Sequence, residues 1–312
     1  MPYDDGLWSI GELAERAGTT VKTVRFYSER GLLPEAGRSS GGHRRYGPGA
    51  LERLRLIRSL RALDLPVPEV ERVLGPDEDL SEALEEAVSG QLRTVDSQLA
   101  SLRWREASLR LLRDCPPGER AERLRLVGSV AAPPDTAALA RFWRRTLPVR
   151  LPARTVATVL DSVVPRPPRE PSPAQVLAFA RLHELVTDPR LDRPEFRPAP
   201  PLPDGEYRPE VLYEGLAEAY ALASSQERTG LLPGDGGALD CFVAAYARAS
   251  GVRDTPDFRR RLVGLLARSS GPVIHRYWKL AAGLFAPGEP VLGALHHHLS
   301  TALHADAEAR TA

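Results

Sequence analysis

The sequence predicts a mainly α-helical chain in three parts: a small helical head with a β-hairpin, one long helix with an apolar seam, and an all-α C-terminal region. Three observations predict it. Apolar residues recur at three- and four-residue steps over most of the length, the signature of amphipathic helices. A single leucine-rich stretch keeps that spacing without a break from residue 81 to 112. Beyond residue 119 no strand-like alternation occurs, and Pro-rich connectors separate the helical segments. The expected division is therefore 1–76 for the head, 77–113 for the long helix and 119–312 for the C-terminal region. At 312 residues and 42% hydrophobic side chains, the chain is long enough for two domains with real cores.

The head begins with Ile10, Leu13, Ala14 and Ala17 on one helical face. Gly18 ends that helix, because the tight turn after it wants a residue that tolerates positive φ. Thr19 or Thr20 then starts a second helix, its hydroxyl accepting from the unpaired first-turn N–H groups. Val21, Val24 and Phe26 are expected on its apolar side, leaving Lys22, Thr23, Arg25 and Tyr27 outward. Hydroxyls and guanidinium groups at a helix start suit a DNA major groove, where they reach base edges while cations neutralise phosphates. Ten basic and three acidic side chains between Lys22 and Arg61 give a net +7, against +1 for the whole chain. So concentrated a charge is an electrostatic footprint, and it falls on this motif.

Gly31-Leu32-Leu33-Pro34 closes the second helix. Gly37, Ser39, Ser40, Gly41 and Gly42 read as a hairpin tip, with His43 to Tyr46 as the return strand. A third helix opens at Pro48 or Gly49, with Leu51, Leu54, Ile57 and Leu60 to Leu63 on one face and Arg53, Arg55, Arg58 and Arg61 on the other. For any one member of such an arginine row, a solvated face is the ordinary reading. Pro66 to Leu74 forms a short packing helix.

Taken together, SIGELAERAG, TVKTVRFYSERGLLP and GGHRRYGPGALERLRLIRSLRALDLPVPEVERVL resemble, in order and spacing, the N-terminal domain of MerR-type transcriptional regulators. The resemblance covers about 70 residues plus the helix after them. It departs at His43, where the family usually has Tyr, and at Asp64-Leu65, where Gly-Phe is usual. It implies a winged helix-turn-helix with His43, Arg44, Arg45 and Tyr46 on a wing, Arg44 the main phosphate ligand, and Arg61 near a second wing. With Thr20, Lys22, Thr23, Arg25 and Tyr27, these are the expected contacts to double-stranded DNA. It also implies a homodimer on an inverted repeat between promoter elements, where the DNA is distorted for RNA polymerase.

In the long helix Leu92, Val95, Leu99, Leu102 and Leu109 recur at alternating steps, with charged residues on most other faces. At roughly 1.5–3 kcal/mol per buried leucine, such a seam calls for a partner helix. Packing on the chain's own C-terminal region is the alternative. The family resemblance implies an antiparallel coiled coil across a two-fold axis, so the expectation is dimerisation through these five residues.

After a break at Arg113–Gly118, helices are expected at 135–146, 153–164, 173–187, 209–224, 237–250, 255–269, 273–285 and 290–305, with connectors PRPPREPSP (165–173) and RPAPPLPD (197–204). Cys115 and Cys241 are too few for a disulfide scaffold or a cysteine metal site, and neither a metal nor a cofactor is expected. In His296-His297-His298 consecutive residues point about 100° apart, and with His304 they read as a polar face. His183-Glu184 lacks the second histidine of a zinc-protease motif, and no nucleophile elbow or phosphate loop is present, so no enzyme is expected. The remaining signal is aromatic. Most such residues are core, but Trp143, Tyr213, Tyr220, Tyr246 and Trp278 together make candidate walls for a small organic effector, with Glu214, Glu218 or Asp240 to pair with a cation. No run of about 18 apolar residues exists to span a membrane, and the acidic start MPYDDGLW is unlike a secretion signal. A cytoplasmic, bacterial, nucleoid-associated protein is expected. Two readings compete for the C-terminal region: a sensor of a small effector, and a surface for protein–protein contacts in a ligand-independent regulator.

Overall fold

The computed structural model describes residues 6–75, 79–148, 150–192, 207–229, 237–269, 271–285 and 291–309. The connector at 197–204 and the first five residues lie outside them. The chain forms two compact units, residues 1–99 and 100–312, and each is described by itself.

In the first unit, α1 (Ile10–Arg16) opens with a capping box between Ser9 and Glu12, and α2 (Val21–Glu29) opens on Thr20, whose hydroxyl accepts from the Thr23 amide. Gly18 (φ 60°) and Gly31 (φ 75°) end these helices in the left-handed region. At both ends the two following amides fold back to the last turn: Thr19 to the Ala14 carbonyl and Leu32 to the Tyr27 carbonyl close the longer loops. The hairpin pairs β1 (Gly37–Arg38) with β2 (Arg44–Arg45) antiparallel, Gly37 opposite Arg45 and Arg38 opposite Arg44. Trp8 extends the hairpin by exchanging both backbone hydrogen bonds with Tyr46 at 2.8 Å. Next come α3 (Pro48–Ala62) and α4 (Val67–Val73). Leu13, Val24, Leu54, Ile57, Leu65 and Val70 form the centre of the core.

The long helix α5 runs Leu80–Arg113, one residue beyond the expectation at each end. Its first turns place Ala83 and Ala87 in the core of the head. Its last turns place Trp104, Ala107 and Leu111 in a core of the second unit. Leu92, Val95, Leu99, Leu102 and Leu109 point away from both cores and are 41–68% exposed.

The second unit contains α6 (Arg120–Gly128), α7 (Ala137–Thr146), α8 (Ala153–Val163), α9 (Pro173–Val186), α10 (Pro209–Thr229), α11 (Ala238–Ala249), α12 (Pro256–Ser269), α13 (Pro272–Ala281) and α14 (Leu292–Ala309). Among the described residues the only sheet is the two-stranded hairpin of the head, and the chain is mainly α. The eight expected C-terminal helices are all present; α6 is the additional one. Two cores organise the unit. One gathers Trp104, Phe142, Trp143, Phe179 and Tyr277, and the Trp104 indole N–H donates to the Pro168 carbonyl, tying the Pro-rich connector to α5. The other gathers α10, α11, α12 and α14 around Phe242, Leu262 and Leu299. Here Gly215 of α10 lies so close to Ala245 of α11 that a Cβ would overlap it, which lets the two backbones approach.

Candidate nucleic-acid interface

The second helix presents two opposed faces. Val24, Tyr27 and Ser28, at i, i+3 and i+4, point into the head and are buried. Lys22, Arg25 and Glu29 lie on the outer side and are exposed. This corrects two expectations. Tyr27 is 7% exposed and is part of the core, whereas Val21 and Phe26, expected inside, are 41% and 42% exposed. The reason is angular: Tyr27 shares the stripe of Val24, while Phe26 falls about 200° from it. Arg30 covers the exposed Phe26 ring, 4.8 Å from its centroid. Thr20 and Thr23 are engaged with each other at the helix start, their hydroxyls 2.9 Å apart.

Between α2 and the hairpin lies a cleft of about 450 Å³ into which Arg25, Arg38, His43, Arg44 and Arg45 all open, with Glu29 the acid among its walls. Of the expected contacts, Arg25 of the helix and His43, Arg44 and Arg45 of the wing are thus brought together, while Thr20, Lys22 and Thr23 are not among its walls. Glu35 steadies the wing: it accepts from Arg38 at 3.1 Å and lies 3.4 Å from Arg44 Nε. Glu12, whose carboxyl is held below the ordinary range chiefly by the Ser9 backbone N–H, lies 3.9 Å from Arg45. Tyr46 is a further correction. It is fully buried, its hydroxyl 2.7 Å from that of Ser28, because at this bridge position its ring turns into the core.

The arginine row of α3 is neither a solvated face nor a DNA surface throughout. Arg53 donates to the carbonyls of Leu32 and Leu74, Arg58 to that of Ala17, and Arg61 to that of Leu65. Each target lies at or just beyond the C-terminal end of a helix, where carbonyls lack partners and the helix dipole is negative. These cations staple helix ends. Arg61, expected near a second wing, is exposed but committed to Leu65. Arg55 pairs with Glu52 at 2.8 Å.

In the second unit, a cleft of about 510 Å³ opens between α8 and α10. Tyr213 and Tyr220 line it, with Val159, Leu216 and Leu292, and Arg154 and Glu214 stand at its walls. Arg154 lies 3.1 Å from Glu210 and 4.0 Å from Glu214. Burial pushes the Tyr213 and Tyr220 hydroxyls well above their ordinary range, so both stay neutral. Tyr220 is fixed by a 2.8 Å hydrogen bond with His296 Nδ1. The other three candidate walls are elsewhere. Trp143 packs edge-on against Tyr277 at 5.0 Å, Tyr246 sits behind Phe242, and Trp278 lies flat on Gly293, where a Cβ would overlap the ring. Trp143 and Tyr246 are core and Trp278 is half-buried against it, because each faces another aromatic ring or a helix backbone. Asp240 is spent on Arg259 at 2.8 Å. Cys115 is buried, its Sγ 3.2 Å from the Leu112 carbonyl.

A head of this build, two short helices and a paired wing around a cationic cleft, defines the class of winged helix-turn-helix nucleic-acid-binding domains. The family of MerR HTH regulatory proteins matches residues 8–75. The HTH-type transcriptional regulator ZntR homolog of Haemophilus influenzae is 33% identical over 108 residues, 32% of this chain and 79% of that protein. Nodulation protein NolA of Bradyrhizobium is 36% identical over 93 residues, 30% of this chain and 38% of that protein. The chain thus spans well under half the length of the NolA relatives it matches. The crystal structure of the transcription regulator PbrR691 from Ralstonia metallidurans CH34 in complex with lead(II) is 36% identical, with 35% of this chain and 89% of that one covered and a TM-score of 0.31. The chain belongs to the MerR HTH family. The family match stops at residue 75 and leaves the helices from α5 onward outside it. No helix among the described residues is long and apolar enough to cross a membrane.

Proposed function

We propose that the chain is a homodimeric transcriptional regulator that binds an inverted repeat in a promoter and distorts it when a small organic effector occupies the C-terminal region. The division of labour is 1–76 for DNA, 77–113 for dimerisation and 119–312 for sensing. The observation that carries the DNA half is the convergence of Arg25, Arg38, Arg44 and Arg45 on one cleft between helix and wing. Arg38, Arg44 and Arg45 on the wing side of that cleft fit a phosphate backbone, while Arg25, with Lys22 and Thr23 at the helix start, suits base edges. The exposed seam of α5 supports the dimer, since five large apolar side chains left in water destabilise an isolated protomer. A dimer with equivalent heads favours a palindromic site, and bending or untwisting between half-sites adds shape readout near RNA polymerase.

The cleft between α8 and α10 supports the effector half, with apolar walls, two neutral tyrosines and a carboxylate at the edge. PbrR691 holds lead(II) in its crystal structure. For this chain the organic reading is favoured by the cleft, while Cys115 is turned into the protein. A footprint over the DNA upstream of the chain's own gene tests the DNA half: two equal protected half-sites are expected, and no protection at any concentration overturns it. For the effector half, a panel of aromatic organic compounds is screened by thermal shift against the full chain and Ala217→Trp, which fills the cleft. A compound that raises Tm of the parent and not of the variant is expected; equal shifts in both, or none, overturn the pocket.

A further inference from the structure

We infer that Ser28 and Tyr46 position Arg44, so that the wing arginine reaches DNA already aimed. The inference rests on the DNA-binding reading above. Two buried hydroxyls of this head face each other. Ser28 is 9% exposed and Tyr46 fully buried, and their oxygens lie 2.7 Å apart. Arg44 Nη1 donates to Ser28 Oγ at 2.7 Å, while its Nε lies 3.4 Å from Glu35. The guanidinium is therefore gripped on two sides. Glu35 holds it from the strand approach, and Ser28, anchored in turn by Tyr46, holds it from α2.

Chemically the chain of contacts is complete. A serine hydroxyl has one proton and two lone pairs; it accepts from Arg44 and shares one further hydrogen bond with the phenol. Buried hydroxyls left single would be costly, so each partner keeps the other in place. Ser28 belongs to α2 and Arg44 to β2, which makes this relay a polar tie between the recognition helix and the wing. An unheld arginine side chain loses considerable rotamer freedom when it docks on a phosphate. Here that freedom is already spent in the free protein, and the remaining guanidinium N–H groups are offered to the cleft. Neither hydroxyl needs to touch DNA.

A double-mutant cycle tests this with Ser28→Ala, Arg44→Ala and the pair, using binding of the full-length protein to a fluorescein-labelled duplex of random sequence across a salt series. Phosphate contacts act on any sequence, so no operator is required. S28A is expected to weaken binding about five- to tenfold with its salt slope unchanged, because one hydrogen bond is lost and no charge. Arg44→Ala weakens binding and also flattens the slope. In the Arg44→Ala background S28A should have no further effect. Tyr46→Phe should reproduce S28A more weakly, with melting curves confirming that each variant is folded at the assay temperature.

Equal losses from S28A in both backgrounds would assign Ser28 a purely structural role and overturn the inference. So would parental binding by S28A while Arg44→Ala binds weakly. Parental binding by Arg44→Ala itself would instead remove the wing contact, and with it the reading on which the inference stands.

Discussion

Single residues carry more of the head's logic than its composition implies. Asp64 is the plainest case. It has φ 60°, the left-handed conformation that glycine adopts without strain, and it stands where the resembled family usually has Gly. Its amide and that of Leu65 fold back to the carbonyls of Arg61 and Leu60, the same closure that Gly18 and Gly31 make for the helices before it. Asp64→Gly is expected to stabilise the protein by about 0.5–1 kcal/mol, read as a higher denaturant midpoint at constant slope; an unchanged or lower midpoint would show that the carboxylate offsets the backbone strain. A histidine in the second unit gives a pH prediction. Burial, with some help from the neighbouring His297, pushes His296 down to about 4, and it faces the Tyr220 hydroxyl and the Phe242 ring. Below its ordinary 6.5 the unfolded chain takes up a proton that the folded chain refuses. Stability present above pH 6.5 is therefore lost as pH falls toward 4 and levels off below that. Melting the parent and His296→Gln across this range should show a shallower pH dependence in the variant, and identical curves would discard the assignment.

At the scale of elements, legibility in the sequence follows periodicity. Helices with a clean three-to-four spacing and a Pro, Ser or Thr at their start were readable to within a few residues, as α5, α8 and α9 show. α6 escaped because Leu124 is exposed and only Leu126 is fully buried, so no stripe marks it. The orientation of α2 departs from the expectation for a related reason: Phe26 and Tyr27 are adjacent, both are aromatic, and hydropathy alone favours the one that lies outside. The arginine row of α3 showed its charge but not its acceptors, since carbonyls at distant helix ends leave no trace in a linear pattern. The same holds for Arg259, buried in α12 and ringed by Asp240, Asp254 and Asp306 at 2.5–2.9 Å. These carboxylates raise its pKa and tie α11, α12, α14 and the intervening loop together. Arg259→Met would take the shared cation away from all three, and a loss of about 3 kcal/mol in unfolding free energy is expected; a loss under about 1 kcal/mol would mean that solvent and their other contacts satisfy the carboxylates. For α5 the outcome depends on its partner. Leu99→Arg with Leu102→Arg puts charge into the exposed seam, and sedimentation should then show a protomer where the parent is a dimer. A double variant that still sediments as a dimer would move the interface off this helix.

Over the whole molecule, charge is partitioned. The stretch Lys22–Arg61 carries +7 within a chain of +1, so the remainder is net acidic by six. At physiological salt the screening length is about 8 Å, and the field felt by DNA at contact is that of the groups that touch it. The acidic remainder therefore restrains long-range attraction to polyanions without weakening a docked head. Within that head the cations have unequal duties. Arg53, Arg58 and Arg61 are spent on helix-end carbonyls, and the set proposed to face DNA is Lys22 with the arginines of the cleft, Arg25, Arg38, Arg44 and Arg45. Arg44→Ala should weaken binding to every sequence alike and reduce the slope of log K against log salt by about 0.9 per protomer, roughly two for a dimer. Arg25→Ala, on the exposed face of α2, should instead cost discrimination between operator and random duplex, on the order of 1–3 kcal/mol per half-site. The two variants thus separate positioning from reading in one pair of titrations. If Arg25→Ala lowered operator and random-duplex affinity equally, α2 would be a backbone clamp and the specificity would have to come from DNA shape.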